Sequence, residues 1–275
     1  MAPRTYERIW REWLIREDYS ADIQRHLDTR QPLYQVLAQL IKDRQGTEYA
    51  VHCLEIGCGS AIDSYIVADR MGATCYAVDL TEEAVQTGIA IAKYFHRIIH
   101  LVTGDASCMS FRDGAFDIVF SQGVLEHFDD ELLGRVMSEQ VRVLHPGGYL
   151  VIDVPQKYNW YTIKKHILMW RDQWPWGYET EFSVRGLQRL GKKAGLNWLW
   201  AVGYRTGYRY QWLRDLPRRL SESHLATRVK AVRWIGKCLD AGWDYLEHRY
   251  GQHFLVCVIA VFQKNCSPDN MAIDK

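Results

Sequence analysis

The chain of 275 residues has no surplus of either charge: 34 Lys and Arg face 33 Asp and Glu, a net +1. A general nucleic-acid binder carries a basic excess, so that class is disfavoured and only a local basic face remains open. No run of 18 apolar residues occurs, so no membrane-spanning helix is expected. The seven Cys form no CxxC pair and no zinc-type spacing. Most of them lie inside apolar runs, where a thiol behaves as a small hydrophobe. The opening MAPRTYERIWREW is charged and amphipathic and lacks an apolar h-region, so it does not read as a signal peptide. These absences predict a soluble protein of a reducing compartment, the cytoplasm. Repeats and low-complexity tracts are also missing.

What is present is ordinary in bulk. Hydrophobic residues make up 48% and charged residues 24%, which excludes global disorder. The length fits one large domain, or one domain with an elaboration. The eleven Trp are the unusual feature, and none lies between residues 14 and 159.

Tyr6, Ile9, Trp10, Trp13 and Leu14 share a helical face. Leu33, Val36, Leu37, Leu40 and Ile41 predict a second helix after Pro32, closed by Gly46. From residue 50 the pattern alternates. Apolar runs at Ala50–Ile56, Thr74–Val78, Ile98–Val102, Phe116–Phe120 and Tyr149–Val154 predict strands. Helices are predicted near 61–71, 82–95 and 130–144, with Asp130 capping the last. Apolar strands separated by helices imply a parallel sheet covered on both faces, a doubly wound α/β fold. Ser183–Ala194 predicts a helix, Asn197–Tyr204 a strand and Phe254–Phe262 a last strand. The intervening 205–252 has helical spacing at Leu225, Val229, Val232, Leu239, Trp243 and Leu246. Residues 205–250 carry ten Lys and Arg against five Asp and Glu.

In such sheets ligands sit beyond the carboxyl ends of the strands, so the strand-end residues carry the chemistry. After the first strand comes Leu54-Glu55-Ile56-Gly57-Cys58-Gly59-Ser60-Ala61, a glycine turn that lets backbone approach a ligand. Ile62 stands where the dinucleotide fingerprint has its third glycine, and there is no Walker lysine. Asp79 follows the second strand, 22 residues past Gly57, where a carboxylate can accept two ribose hydroxyls or serve the next helix start. Gly104-Asp105-Ala106 follows the third strand. Asp105 there could accept from an exocyclic amine or simply make a turn. Ser121-Gln122-Gly123-Val124-Leu125-Glu126-His127-Phe128 follows the fourth.

Taken together, LEIGCGS, YAVDL, TGDA, FDIVFSQGVLEHF and VLHPGGYLVIDVP, in this order and spacing over roughly residues 50–155, resemble class I S-adenosylmethionine-dependent methyltransferases, in particular their small-molecule branch. The resemblance implies a Rossmann-like seven-stranded sheet of order 3-2-1-4-5-7-6, strand 7 antiparallel, with helical cap elements. It implies S-adenosyl-L-methionine as cofactor. Glu55, Gly57, Cys58 and Gly59 would surround its methionine portion, Asp79 the ribose, and Leu80 the adenine. Asp105 would face the adenine amine beside Ala106, with Gln122 near the reacting end. The family's usual third turn glycine is replaced here by Ala61.

Methyl transfer chiefly requires alignment and exclusion of water. A hydroxyl acceptor also gains from a base, and His127 is the candidate by its neutral-range titration. The (Asp/Asn)-Pro-Pro-(Tyr/Phe) motif of amide- and adenine-methylating relatives is missing after strand four. No metal-ligand cluster follows strands four and five, so no metal is expected. The reading is therefore methyl transfer to a small-molecule, glycan or lipid-linked acceptor, at oxygen, with nitrogen or carbon and a silent binding protein as alternatives.

Acceptor contacts should come from outside the common core, with Tyr158, Trp160, Tyr161 and Trp176 as substrate candidates; the same rings could instead form the core of a small cap. The expected organisation is an N-terminal arm (1–48), cofactor core (49–155), aromatic cap (156–182), last helix and strand six (183–204), basic insertion (205–252), strand seven (253–264) and tail (265–275). The insertion could be a lid, a dimer contact or a peripheral membrane contact.

Overall fold

The computed structural model describes residues 18–45, 50–174, 179–204 and 255–266. Two helices open it, α1 (Ser20–Thr29) and α2 (Gln31–Arg44). Pro32 suits the first turn of α2, where its missing N–H has no partner to lose. The predicted apolar stripe of α2, Leu33 to Ile41, is buried as a unit. The expected arm helix around Tyr6–Leu14 and the stop at Gly46 lie outside the described residues.

The central motif then alternates: β1 (His52–Ile56), α3 (Ile62–Met71), β2 (Thr74–Asp79), α4 (Glu82–Ile91), β3 (His100–Thr103), β4 (Phe116–Gln122), α5 (Asp130–Val143) and β5 (Leu144–Pro155). After it come α6 (Trp160–Trp170), α7 (Val184–Lys193), β6 (Leu196–Tyr204) and β7 (Cys257–Lys264). The seven strands form one sheet in the order β3-β2-β1-β4-β5-β7-β6. β1 to β5 pair in parallel, and β7 runs antiparallel to both β5 and β6. The fold is the expected one, order and reversed strand included.

Side-chain alternation along each strand divides the core into two layers. Cys53, Ile118, Val151 and Ile259 face a cluster that holds α2 and α3. Their neighbours Leu54, Val119, Ile152 and Ala260 face a second cluster with α5 and α7. Burial on both faces is why these strands read as unbroken apolar runs.

Several boundaries differ from expectation. Helix α5 is capped by Asp129, whose side chain accepts from Leu132 N–H at 2.9 Å, and Asp130 is already inside the first turn. β5 begins at Leu144, ahead of the predicted Tyr149, so His145-Pro146-Gly147-Gly148 belongs to its irregular start. β3 is shorter, because the apolar Ile98 is 92% exposed ahead of it. β7 ends at Lys264, whose ammonium donates to the carbonyls of Val141 and Leu144 at 2.7 Å each. That satisfied polar end is invisible to a search for apolar runs.

Candidate functional site

The carboxyl ends of β1, β2, β3 and β4 lie along one edge, and the turns after β1, β3 and β4 are each pinned to a neighbouring strand. Cys58 N–H donates to Val78 O at 3.1 Å, Gly104 N–H to Asp79 O at 2.8 Å, and Gly123 N–H to Asp153 O at 2.9 Å. The turns after β1, β3 and β4 thus share one framework with β2 and β5.

Gly57 has φ +63°, and a Cβ there would lie 2.6 Å from a methyl of Val124. The β1 turn and the β4 exit are therefore close-packed through a residue without a side chain. Gly59 differs: a Cβ on it would meet nothing within 4 Å, so its backbone borders open space. Ala61 takes the left-handed conformation, φ 55°, that glycine usually supplies, and its methyl is fully buried.

Asp79 ties this turn to the next helix. Gly59 N–H donates to its Oδ2 at 2.9 Å, while Thr81 N–H and Oγ1 donate to Oδ1 at 3.0 Å each. Thr81 in turn caps α4 by accepting from Ala84 N–H. Oδ2 keeps a second acceptor position for a ligand hydroxyl. Leu80, beside it, is 60% exposed, an apolar side chain standing at the strand exit.

Glu55 is buried at the end of β1, where Ser64 donates to it from N–H at 3.0 Å and from Oγ at 2.5 Å. Burial, and then the nearby Asp63 charge, push its carboxyl up to about 8 against the Ser64 hydrogen bonds and Arg30. Cys58 turns its sulfur into the core and leaves its backbone to the turn. Asp105 is exposed and accepts from Ser107 N–H at 2.7 Å, with Ala106 half-buried beside it. Gln122 ends β4 with Asp153 as its neighbour on β5. His127 closes the short 3-10 turn Leu125–His127 and is half-buried.

Glu55, Gly57, Cys58, Gly59, Asp79, Leu80, Asp105, Ala106, Gln122 and His127 thus all fall at the carboxyl edge of the sheet. Of the aromatic candidates, Tyr158 is 64% exposed just before α6. Trp160 and Tyr161 form the first turn of α6, and Trp176 lies outside the described residues.

The sequence reading missed a layer of buried charge behind this edge. Asp63, in the first turn of α3, pairs with Arg30 and meets His26 Nδ1 at 3.1 Å and the Tyr34 hydroxyl at 2.5 Å. Burial alone would raise its carboxyl, but Arg30 and His26 outweigh that and hold it well below the usual carboxylate range. Asp153 accepts from the Tyr204 hydroxyl, and Glu126 sits buried beside the β4 exit. Lys165 of α6 donates to Glu179 O at 3.2 Å and pairs with Glu181 at 3.2 Å. A buried acid inside an apolar stretch was the available signal. Glu126 carried it, hidden beside His127.

The sheet order and the reversed strand define the class of fold, a seven-stranded Rossmann-like core with a glycine–aspartate edge. Comparison with known proteins sharpens this, because residues 54–152 match the family described as a methyltransferase domain. Norajmaline N-methyltransferase of Rauvolfia serpentina is 34% identical over 101 residues, 36% of this chain and 34% of that protein. A chloroplastic tocopherol O-methyltransferase of Arabidopsis thaliana is 28% identical over 114 residues, 41% of this chain and 32% of that protein. The matched segment therefore spans about a third of the length of these curated relatives. Among solved structures, a SAM-dependent methyltransferase of Thermotoga maritima superposes with a TM-score of 0.57 at 15% identity. That superposition covers 95% of this chain and 100% of the other, and it bears on the fold alone. Among the described residues no helix is long and apolar enough to cross a membrane, and no three His, Cys, Asp or Glu gather as metal ligands.

Proposed function

We propose that the protein is an S-adenosylmethionine-dependent methyltransferase acting on a small-molecule acceptor. The observation that carries this reading is the edge formed by Gly59, Asp79 and Leu80. An open glycine backbone, a fixed carboxylate with a spare acceptor position and an exposed apolar side chain stand in sequence along it. This set fits a nucleoside with a charged tail: the carboxylate for ribose hydroxyls, the leucine for the base, the glycine turn for the tail. Asp105, exposed after β3, is available to the base amine. When bound, S-adenosylmethionine supplies a methyl group already activated by a sulfonium. The chain's part is then to fix the donor, place the acceptor beside Gln122 and keep water out.

For a hydroxyl acceptor, His127 is the base and oxygen the methylated atom. The aromatic residues around α6 would hold a flat, sugar-like or lipid-linked acceptor. The basic insertion 205–252 would serve as lid, dimer contact or anionic-membrane contact, in a cytoplasmic protein.

Calorimetry with S-adenosylhomocysteine, NAD and NADP tests the donor assignment. Transfer of isotope from methyl-labelled cofactor into a metabolite extract separates an enzyme from a silent binder. With an acceptor in hand, His127→Ala should lower turnover roughly 100-fold or more while leaving cofactor affinity unchanged. Unchanged turnover removes the base role.

A further inference from the structure

We propose that the acceptor is an amine that enters as an ammonium ion, held at the exits of β4 and β5 by Glu126 and Asp153. This rests on the methyltransferase reading and deepens it by naming the acceptor's chemical class. Among the described residues, two buried carboxyl groups each keep one oxygen without a hydrogen-bond partner: Glu126 Oε2 and Asp153 Oδ1. The residues are only 3% and 1% exposed. Unsatisfied buried acceptors are uncommon in native proteins, and two on neighbouring strand exits ask for a ligand that donates.

Their positions are linked through Gly123. Its N–H donates to the Asp153 carbonyl at 2.9 Å, and a Cβ on it would lie 3.7 Å from Glu126 Oε1. Asp153 also pairs with Gln122, the residue expected near the reacting end, across β4–β5, and Glu126 follows Gln122 by four residues in the same strand exit. Tyr204 donates to Asp153 Oδ2, and Thr180 N–H donates to the Glu126 backbone carbonyl at 2.6 Å.

The charge balance selects a cation over a neutral hydroxyl. Glu126 faces Glu179, Asp153 and Lys165; Asp153 faces Tyr204, Arg30 and Asp63. Lys165 is already paired with Glu181 and Arg30 with Asp63. A neutral hydroxyl offers one proton donor and no charge, whereas an ammonium ion offers several donors and the positive charge that lets a buried carboxyl ionise beside it. Burial pushes Glu126 up to about 8 and Asp153 up to about 7, so each holds protons near neutrality until a cation arrives. Binding of an ammonium ion should therefore expel a proton from the pair. An ionised carboxylate can then take one N–H proton of the bound ammonium, leaving a neutral amine with a free lone pair.

The test uses tyramine and tyrosol, which differ only in an amine against a hydroxyl, titrated calorimetrically into protein saturated with S-adenosylhomocysteine. Tyramine should bind at least roughly tenfold more tightly. At pH 7 its binding should release protons, read from the dependence of heat on buffer ionisation enthalpy. Glu126→Gln and Asp153→Asn should each abolish the preference and reduce the proton release, with S-adenosylhomocysteine affinity unchanged. Equal or tighter tyrosol binding, no tyramine binding, or a preference that survives in both variants overturns the proposal. A loss of S-adenosylhomocysteine affinity in the variants also overturns it, since the pair would then serve the donor's own ammonium. Failure of S-adenosylhomocysteine to bind the unaltered protein is a different result and defeats the cofactor reading itself.

Discussion

The backbone N–H of Gly59 donates to Asp79 Oδ2 at 2.9 Å, so the carboxylate that stands at the end of β2 also sets the glycine turn after β1. Its other oxygen receives Thr81 and through it the start of α4. Asp79→Ala should therefore act twice. Loss of these charge-assisted hydrogen bonds should cost about 1.5–3 kcal/mol of stability, and S-adenosylhomocysteine affinity should fall at least ~10-fold. Denaturant unfolding and calorimetry read the two effects separately.

The pH dependence of stability should be bell-shaped. Asp63 is ionised in the folded state well below the usual range, so its contribution is full above an unfolded value of about 4 and lost as pH falls below it. Glu55 and Glu126 titrate in the folded state near about 8, and Asp153 near about 7. Between about pH 4 and pH 8 the folded state holds more protons than the unfolded one, so stability falls as pH rises through that window. Glu55→Gln should flatten the alkaline side, measured by urea midpoints from pH 4 to pH 9.

Asp63→Asn should be destabilising, by ~2–4 kcal/mol, because it leaves the part-buried Arg30 guanidinium without its counter-charge. Changing Arg30 and Asp63 together to apolar residues of similar volume should recover a large part of that loss. Thermal unfolding of the single and double variants gives the comparison.

Gly191 lies on the face of α7 that meets the sheet. A Cβ there would come within 2.1 Å of the Phe262 ring. Gly191→Ala should cost ~1–3 kcal/mol through overpacking and leave cofactor affinity intact; Phe262→Leu in the same chain should relieve it. Together with the Asp79 variant, this separates effects on the fold from effects on the site.

The sheet was legible because its strands are buried on both faces and so read as apolar runs between helical periods. Its order and the reversed β7 came from the family resemblance and match the structure. The placement of Gly57, Gly59, Asp79 and Asp105 at strand ends was legible because each directly follows an apolar run. The cap of α5 fell one residue early, at Asp129, because two adjacent aspartates satisfy the same pattern. The buried charge layer was illegible for a different reason. Asp63, Arg30 and His26 sit on separate elements, and only packing of α1 and α2 against α3 brings them together. Glu126 and Asp153 likewise look like ordinary polar residues until the structure encloses them. The tryptophan-rich remainder yields least, since Trp176 and the insertion 205–252 fall outside the described residues.

The account stands most directly on one titration: S-adenosylhomocysteine into the purified protein, with NAD as the control. It predicts saturable one-to-one binding, weakened at least ~10-fold by Asp79→Ala, and no heat from NAD. Absence of S-adenosylhomocysteine binding, or binding of NAD in its place, would contradict it.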